Sequence, residues 1–470
     1  MIRATILRAV MLSLAATILF SACRKRDDVS LPDNLVVFTS TAQGISESES
    51  SIGIKVKLSR GTTAAVPITV KLTPQGVTYG TDFTTTPAAS NGQFVIDIPQ
   101  GNNEATFTVN KVPGALFDGD EKITFDLYSS GNPILIGATK QLVLNFSELV
   151  ANASKYTING GGVTYPNKVF IDLSANRQTA VLRTNWDLGF YSGAGADDWR
   201  VILNPTVGMM ANVVNKTDLS QVTALDTFGF SATVAYSQFD PQPTQMAFVD
   251  LPNGDLTKTA IGPVSATAAD NKVYIINRGI GVGNPGPNRG WKKIRVIRNA
   301  SGGYTLQHAD IAATTFSSID IPKDAAYFFK YVNFETGVVP IEPEKTKWDI
   351  AWTYTGFATN FGFGDAPYMF QDIIIQNRNV QVAKVLNTTK GFDVFGEADI
   401  AGQTFNSSQV SIGSDWRSGG GPTSSPAART DRYYIIKDGN NNYYKVRFNS
   451  LTEGGVRGFP EIEYKLVKRG

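Results

Sequence analysis

Apolar and polar residues alternate along much of the chain after about residue 34. The stretches IGIKVKLSR from Ile52, VPITVKLT from Val66 and KITFDLYSS from Lys122 all keep a two-residue period. Because successive side chains of a β-strand point to opposite faces, this period predicts strands with one buried face. The turns between these stretches are spaced as in a β-sandwich, which predicts one sandwich over residues 35–148.

The rest of the chain carries an internal repeat. NWDL around Trp186 returns as KWDI around Trp348, and VYIINRG around Tyr274 returns as YYIIKDG around Tyr434, at spacings of 162 and 160 residues. Collinear anchors at nearly one offset indicate a duplicated domain.

We assign the first copy to residues 155–314 and the second to residues 315–470. No segment keeps a helical period with caps, so both copies are predicted to be meandering antiparallel sheets with little helix. The fold class predicted for the whole chain is therefore all-β.

The first residues differ in character from the remainder. Arg3 and Arg8 precede an apolar run ending at Phe20, which is too short to span a membrane as a helix and predicts a signal peptide over residues 1–22. The sequence LFSAC that closes this run resembles a bacterial lipobox. The resemblance implies cleavage before Cys23, the only cysteine of the chain, and acylation of its thiol.

Residues 23–34 are then expected to form a tether. Its charged start, RKRDD, resembles the surface-export signal of Bacteroidetes lipoproteins, which implies an outer-membrane lipoprotein exposed on the cell surface and held to the membrane by its lipid. There are two alternatives. The first residues can be an ordinary signal peptide followed by an unrelated cysteine, and the charged residues after it can be a solvated linker.

Motifs in the sandwich follow the order of a known family. YGTDF from Tyr79, GQFVIDIPQG from Gly92 and FDGDEKITFDL from Phe117 resemble the Calx-beta domain. The resemblance implies an Ig-like sandwich and, as in some members, calcium held by loop carboxylates, for which six to eight oxygen ligands are needed. The matching acidic positions are Glu47, Asp82, Asp118, Asp120 and Glu121. The alternative is a spacer or adhesion module without an ion.

The duplicated region resembles a second family. The segments NFETGVVPIEP, KWDIAWTYTGF, RYYIIKDGNNNYYKVRFNSL and GGVRGFPEIEYKLV of the second copy, and more weakly the first copy, resemble the HmuY-like outer-membrane lipoproteins of Bacteroidetes. Characterised members of that family bind haem. The resemblance implies capture of haem or a related hydrophobic ligand for uptake, with a receptor in the outer membrane as a further partner.

Iron ligation has few candidates in this chain. Haem iron takes axial donors from His, Met, Cys or Tyr, and well-known members of the family use two loop histidines. The matching loop, residues 395–429, has no His, Met or Cys. His308 is the only histidine, so bis-histidine ligation within one chain is excluded. His308 and Met369 remain as candidate iron ligands, and each is equally a residue of a sheet or core.

Aromatic residues surround Met369 in the segment GFATNFGFGDAPYMF. Together with Phe363 and Tyr368, this methionine is predicted to line a flat apolar ligand; alternatively, the aromatic residues cap the open end of a sheet. Trp416 is predicted to be exposed and to stack on a sugar or tetrapyrrole, with Arg417 or Arg429 pairing with a carboxylate. Trp186 and Trp348 are predicted to be core residues.

Charge and motifs narrow the function classes. The 43 Lys and Arg nearly balance the 41 Asp and Glu, which gives no indication of a nucleic-acid partner. No nucleophile elbow, HExxH, CxxC or P-loop occurs, so we expect a protein that is not an enzyme. Capture of haem is the leading hypothesis for the function. The alternative is a surface protein that binds glycans or proteins and has the same fold without iron ligands.

Overall fold

The computed structural model describes residues 32–45, 49–113, 115, 121–131, 133–146, 153–195, 198–233, 241–283, 286–419 and 425–470. The predicted signal peptide and the acylation site at Cys23 lie outside these residues and stay predictions. Within the described part of the chain, no helix is long and apolar enough to cross a membrane. Strands dominate, which confirms the all-β prediction.

The N-terminal region forms two five-stranded sheets, ordered β5-β7-β3-β1-β9 and β2-β10-β8-β4-β6. Their strands are β1 Leu35–Phe38, β2 Ala42–Gly44, β3 Ser51–Leu58, β4 Val66–Gln75, β5 Phe83–Thr86, β6 Gln93–Ile98, β7 Glu104–Lys111, β8 Lys122–Ser130, β9 Leu135–Ile136 and β10 Gln141–Asn145. Alternating burial along β3, β6 and β8 places one face of each sheet inward. The rings of Phe94, Phe107 and Phe125 pack together there, as the two-residue period predicts.

Each copy of the duplicated region contributes nine strands to the described structure. The first copy provides β11 Ala153–Thr157, β12 Asn167–Asp172, β13 Arg177–Leu182, β14 Leu188–Tyr191, β15 Val201–Leu203, β16 Met210–Val214, β17 Val273–Asn277, β18 Trp291–Arg298 and β19 Tyr304–Asp310. The second provides β20 Ser317–Ile321, β21 Phe329–Asn333, β22 Gly337–Val339, β23 Ile350–Asn360, β24 Asp365–Gln376, β25 Gln381–Leu386, β26 Arg432–Lys437, β27 Tyr443–Glu453 and β28 Val456–Lys468.

Short helical turns occupy the connections. They lie at Pro205–Val207, Leu219–Gln221, Ala224–Thr227, Phe228–Thr233, Pro243–Phe248, Ala268–Asp270, Phe392–Val394 and Glu397–Gly402. The turn at Phe228–Thr233 is α-helical and the others are 3₁₀. This small helical content agrees with the sequence prediction.

The two copies exchange their first three strands. The hairpin β12–β13 of the first copy pairs with β23 of the second, and the hairpin β21–β22 of the second pairs with β14 of the first. Strand β11 likewise joins β28, and β20 joins β19. The boundaries 155–314 and 315–470 therefore describe repeats of the sequence, whereas each sheet combines strands of both repeats.

The exchange produces two equivalent units. The first unit holds the sheets β16-β17-β18-β19-β20 and β15-β14-β21-β22, and the second holds β11-β28-β27-β26-β25 and β13-β12-β23-β24. Within each unit a five-stranded and a four-stranded sheet pack around an apolar core. Residues of the two four-stranded sheets also pack together in one further apolar cluster.

The two units share an aromatic cluster. Within the second unit Phe170 and Trp348 pack edge to face at 5.0 Å between ring centroids, and within the first unit Trp186 and Tyr331 do so at 4.7 Å. All four rings belong to one apolar cluster that joins the two four-stranded sheets. Both repeat tryptophans are buried in this cluster, as predicted for core residues.

An aspartate follows each of these tryptophans and holds the exchanged hairpin. The backbone N–H of Asp187 donates to the Val332 carbonyl, and its carboxylate accepts the N–H of Phe334 at 2.9 Å. Asp349 makes the same pair of contacts with Ile171 and with Leu173, whose N–H it accepts at 2.8 Å. Each aspartate of the Trp-Asp motif thus anchors a strand that belongs to the other copy.

The two aspartate anchors differ in their charge environment. Arg278 and Arg289 pair with Asp187 at 3.0 and 2.8 Å. Asp349 is also buried but has the carboxyl group of Asp172 nearby. Burial, and then the negative charge of Asp172, hold the pKa of Asp349 well above the ordinary aspartate range.

We predict that cleavage between the copies will not separate them. A protease site inserted between Thr314 and Thr315, which are exposed, should give two fragments that co-elute in native size exclusion, because four strand pairs join the copies. Separation is expected only in denaturant. Fragments that elute apart in native buffer would contradict the exchange.

We also predict that the two anchors respond differently to neutralisation. Asp187→Asn leaves buried arginines short of a partner and should lower the free energy of unfolding by about 3 kcal/mol at pH 7. Asp349→Asn keeps an acceptor for Leu173 and removes repulsion, so its cost should stay within about 1 kcal/mol. Urea unfolding measures the free energy of unfolding of both variants.

The pH dependence adds a second readout for Asp349. The pKa of an aspartate in the unfolded state is about 4. If the pKa is higher in the folded state, the free energy of unfolding falls as the pH rises above that unfolded value, because the folded state must then give up a proton it holds more tightly. Asp349→Asn should therefore lose less stability than the wild type between pH 4 and neutral pH. An unchanged slope would show that the buried carboxyl group does not titrate as described.

Candidate ligand-binding site

The hairpin β23–β24 is longer than its counterpart in the first copy. Asn204 and Asn377 mark equivalent positions, because each donates its side-chain amide to the carbonyl of the preceding Trp186 or Trp348, at 2.8 and 2.9 Å. Eighteen residues separate the first Trp–Asn pair and 29 the second. The additional residues extend the hairpin to a turn at residues 361–364.

Aromatic side chains line this extension. We call them the aromatic strip: Phe357, Phe361, Phe363, Tyr368 and Phe370. Phe357 and Tyr368 face each other across the hairpin, and the Tyr368 ring meets those of Phe361 and Phe370 edge to face at 5.3 and 5.0 Å. Phe361 and Phe363 stack at 6.1 Å and remain 45% and 57% exposed. The strip therefore presents a continuous aromatic surface at the tip of the hairpin.

A β-bulge marks the base of the extension. Gln371 and Asp372 together lie opposite Tyr354, and Asp372 has φ 58°, a left-handed conformation that aspartate tolerates better than most residues. Its buried carboxylate pairs with Arg457 and Arg417. Burial raises the pKa of Asp372, although both arginines oppose that rise. Because bulges bend and twist a strand, this one redirects the outer hairpin relative to the sheet.

Trp416 and Arg417 are not placed as predicted. Trp416 is 0% exposed, stacks on Phe448 at 4.4 Å and donates its indole N–H to the Asp372 carbonyl at 2.8 Å. Arg417 is buried too, between Asp372 and the Phe370 ring. The prediction of an exposed tryptophan beside a solvent-facing arginine is wrong, because both side chains complete the base of the hairpin.

The candidate iron ligands lie apart and inside the protein. Met369 is on β24 and only 1% exposed, whereas Phe363 is exposed and Tyr368 is half-buried. His308 lies on β19 in the first unit, where its ring stacks on Phe334 at 5.4 Å. Burial, together with the positive charge of Lys292, lowers the pKa of His308. Both side chains are therefore buried, and Nδ1 of His308 is shielded from solvent.

The calcium prediction falls partly outside the described structure. Glu47, Asp118 and Asp120 are not among the described residues. Asp82 accepts the backbone N–H of Thr78 at 2.8 Å, the role of a turn residue, and Glu121 is buried. Across the described residues, no group of three His, Cys, Asp or Glu side chains is arranged to hold a metal ion.

Sequence reasoning missed a second set of polar residues. Glu342 and Glu344 follow strand β22 in the segment PIEPEK and line a groove with Tyr327. The sequence gives no signal for this set, because glutamate side chains are mostly exposed.

Strands and site together define an all-β protein of two interlocked units with an aromatic hairpin at one end. A model of the HmuY protein family matches residues 164–306 and 328–464, which is more than half of the chain. The chain belongs to the HmuY family. The two matched regions follow the two predicted copies.

Several solved structures are similar to parts of the chain. An HmuY-like heme binding protein from Bacteroides vulgatus ATCC 8482 is 11% identical, with 68% of this chain and 94% of that chain covered and a TM-score of 0.19. Apo PinO from Porphyromonas gingivitis is 9% identical, with 68% and 100% covered and a TM-score of 0.18. The apo-form Calx CBD1 domain is 13% identical, with 24% and 96% covered and a TM-score of 0.22.

These TM-scores are too low to carry an argument about function. No curated protein matches the chain. The resemblance of the sandwich to Calx-beta therefore stays a prediction.

We predict that Trp416 supports stability. Trp416→Ala removes a fully buried indole and should lower the free energy of unfolding by about 3–5 kcal/mol. Phe363→Ala, at an exposed position of the same hairpin region, should change it by less than about 0.5 kcal/mol. Urea unfolding of both variants provides the comparison, and similar small losses would mean that Trp416 is not packed as described.

Proposed function

We propose that this protein is a cell-surface lipoprotein that captures haem, or a related planar hydrophobic ligand, on the aromatic strip. Membership of the HmuY family supports the ligand class, since that family binds haem. The observation that carries the location is the exposure of Phe361 and Phe363 next to Tyr368. A porphyrin face is flat and apolar, and stacking on such rings removes both surfaces from water.

Iron ligation requires a donor at the same surface. His308 and Met369 are buried, so in this proposal neither reaches the iron. Tyr368 is half-buried within the strip and carries a phenol oxygen, and tyrosine is a known axial ligand of haem iron. Tyr368 would supply the phenol oxygen that binds the iron, and the neighbouring rings would hold the porphyrin.

The remaining parts of the proposal concern placement in the cell. The lipid on Cys23 anchors the chain to the outer membrane, residues 23–34 serve as a tether, and the sandwich holds the two units away from the membrane surface. A receptor in the outer membrane receives the ligand. No catalytic step is involved. Calcium in the sandwich remains a subsidiary hypothesis.

A hemin titration tests the haem proposal. The chain from residue 24 onward, without the lipid, should shift the Soret band at micromolar protein. Phe361→Ala combined with Phe363→Ala should weaken binding about tenfold or more, since a lost ring contact costs about 1 kcal/mol. Tyr368→Phe should keep the stacking but remove the spectrum of a phenolate-bound iron.

Three controls sharpen this titration. Tyr128→Ala changes an exposed aromatic residue of the sandwich and should have no effect. His308→Ala and Met369→Ala should leave the iron spectrum unchanged. The absence of any Soret shift in the unmodified chain, or a shift that survives loss of Tyr368, Phe361 and Phe363 together, would overturn the proposal.

A further inference from the structure

A small pocket lies in the second unit, beside the end of β25, the start of β26 and the middle of β27. The pairing of β26 with β27 stops at Tyr434 and Val446, and the register of β27 with β28 shifts between Phe448 and Ser450. The cavity at this irregular place measures about 100 Å³. Sites that enclose a whole ligand usually measure about 300–1,000 Å³, so this cavity suits one chemical group of a ligand.

Three arginines line the cavity, which we call the arginine pocket: Arg429, Arg432 and Arg447. Among the described residues that line it, none is an aspartate or a glutamate. The buried rings of Phe392 and Phe448 provide its apolar part. The Arg447 guanidinium lies over the Phe392 ring at 4.3 Å from the centroid, which helps to hold it in place. The lining therefore presents cationic donors.

The charge of the pocket favours a ligand group with a single negative charge. Carboxylates outside the lining neutralise Arg432 and Arg447, and they belong to Asp415, Asp431 and Glu463. In the described part of the chain Arg429 has no ion-pair partner, so one cation stays uncompensated. A dianion such as a phosphate monoester would also be repelled by the three carboxylates nearby.

Arg429 is held so that its terminal nitrogens stay available. Its backbone N–H donates to the Trp416 carbonyl at 2.8 Å, and its Nε donates to the Arg417 carbonyl at 3.2 Å. Nε and Nη2 of Arg447 both donate to Glu463. Within the described residues this leaves both Nη atoms of Arg429 and Nη1 of Arg447 without a hydrogen bond. The planar fork of a guanidinium matches the two oxygens of a carboxylate.

The equivalent arginine of the first unit is satisfied by its own chain. Arg295 is the counterpart of Arg447, since each follows the residue that pairs with the first repeat tyrosine of VYIINRG or YYIIKDG. Arg295 donates to the carbonyls of Ala268 and Asn271, just before β17, at 2.6 and 3.0 Å. Among the described residues, Arg447 makes no such bond to the chain before β26 and pairs with Glu463 instead. The second unit thus keeps donors that the first unit uses internally.

We propose that the arginine pocket binds the carboxylate group of an acidic ligand. Arg429 and Arg447 donate hydrogen bonds to its two oxygens. The rest of the ligand extends into solvent past Arg429 and Thr430, which are exposed at the mouth. This site shares no residue with the aromatic strip and does not rest on haem capture.

Saturation-transfer NMR with acetate tests the proposal. Acetate and its neutral analogue acetamide are titrated separately, at millimolar concentration and constant ionic strength, against the chain from residue 24 onward. The methyl signal of acetate should receive saturation from the protein, whereas that of acetamide should not. Methanesulfonate has the same charge on a tetrahedral group and should bind about threefold more weakly or less, because its oxygens match the guanidinium fork poorly.

Substitutions locate the binding in the pocket. Arg429→Gln should weaken acetate binding about tenfold, since it removes charge-assisted hydrogen bonds. Arg429→Lys keeps the charge but loses the fork, so it should weaken binding about threefold. Arg447→Gln should also weaken it about tenfold. Because Arg429 is exposed, its variants should unfold in urea as the wild type does.

A matched control uses another arginine of the same unit. Arg469 is exposed and lines no part of the pocket, so Arg469→Gln should leave acetate binding unchanged. Three results would each overturn the proposal. They are no saturation transfer to acetate, equal binding of acetamide or methanesulfonate, and acetate binding that survives Arg429→Gln combined with Arg447→Gln.

Discussion

The duplicated region depends on one constraint. In each unit, the strand that follows the Trp-Asp motif pairs through its main chain with a hairpin from the other copy. Asp187 and Asp349 each fix that hairpin twice, once through a backbone N–H and once through a carboxylate. A buried carboxylate is costly unless its oxygens are hydrogen-bonded. The exchanged backbone donates to one oxygen of each carboxylate here, and the strands of one copy complete the sheets of the other.

The aromatic strip and the groove beside Glu342 both follow from this arrangement. The pairing of β23 with β12 holds the inner part of the long hairpin in a sheet, and the bulge at Asp372 releases the outer part to carry the aromatic strip. The groove lies where β13 and the chain after β22, one from each copy, come together at sheet edges.

The polar groups in the two units show how duplication permits divergence. Asp187 has two arginine partners, whereas Asp349 has a neighbouring carboxyl group and a raised pKa. The eleven additional residues of the second copy create a hairpin extension that the first copy lacks. Equivalent backbones therefore support different electrostatics and different surfaces.

The sequence by itself determined the strand content, the sandwich and the repeat, because a two-residue period and a constant offset are local or linear properties. It also placed Trp186 and Trp348 in the core. It did not determine which copy supplies each strand, since both copies carry the same pattern and each hairpin matches either partner. The same limit explains Trp416, Arg417 and His308. These side chains pack against Asp372, Phe448 and Phe334, which approach them only when distant strands pair. Tertiary structure therefore decided which aromatic residues remain accessible.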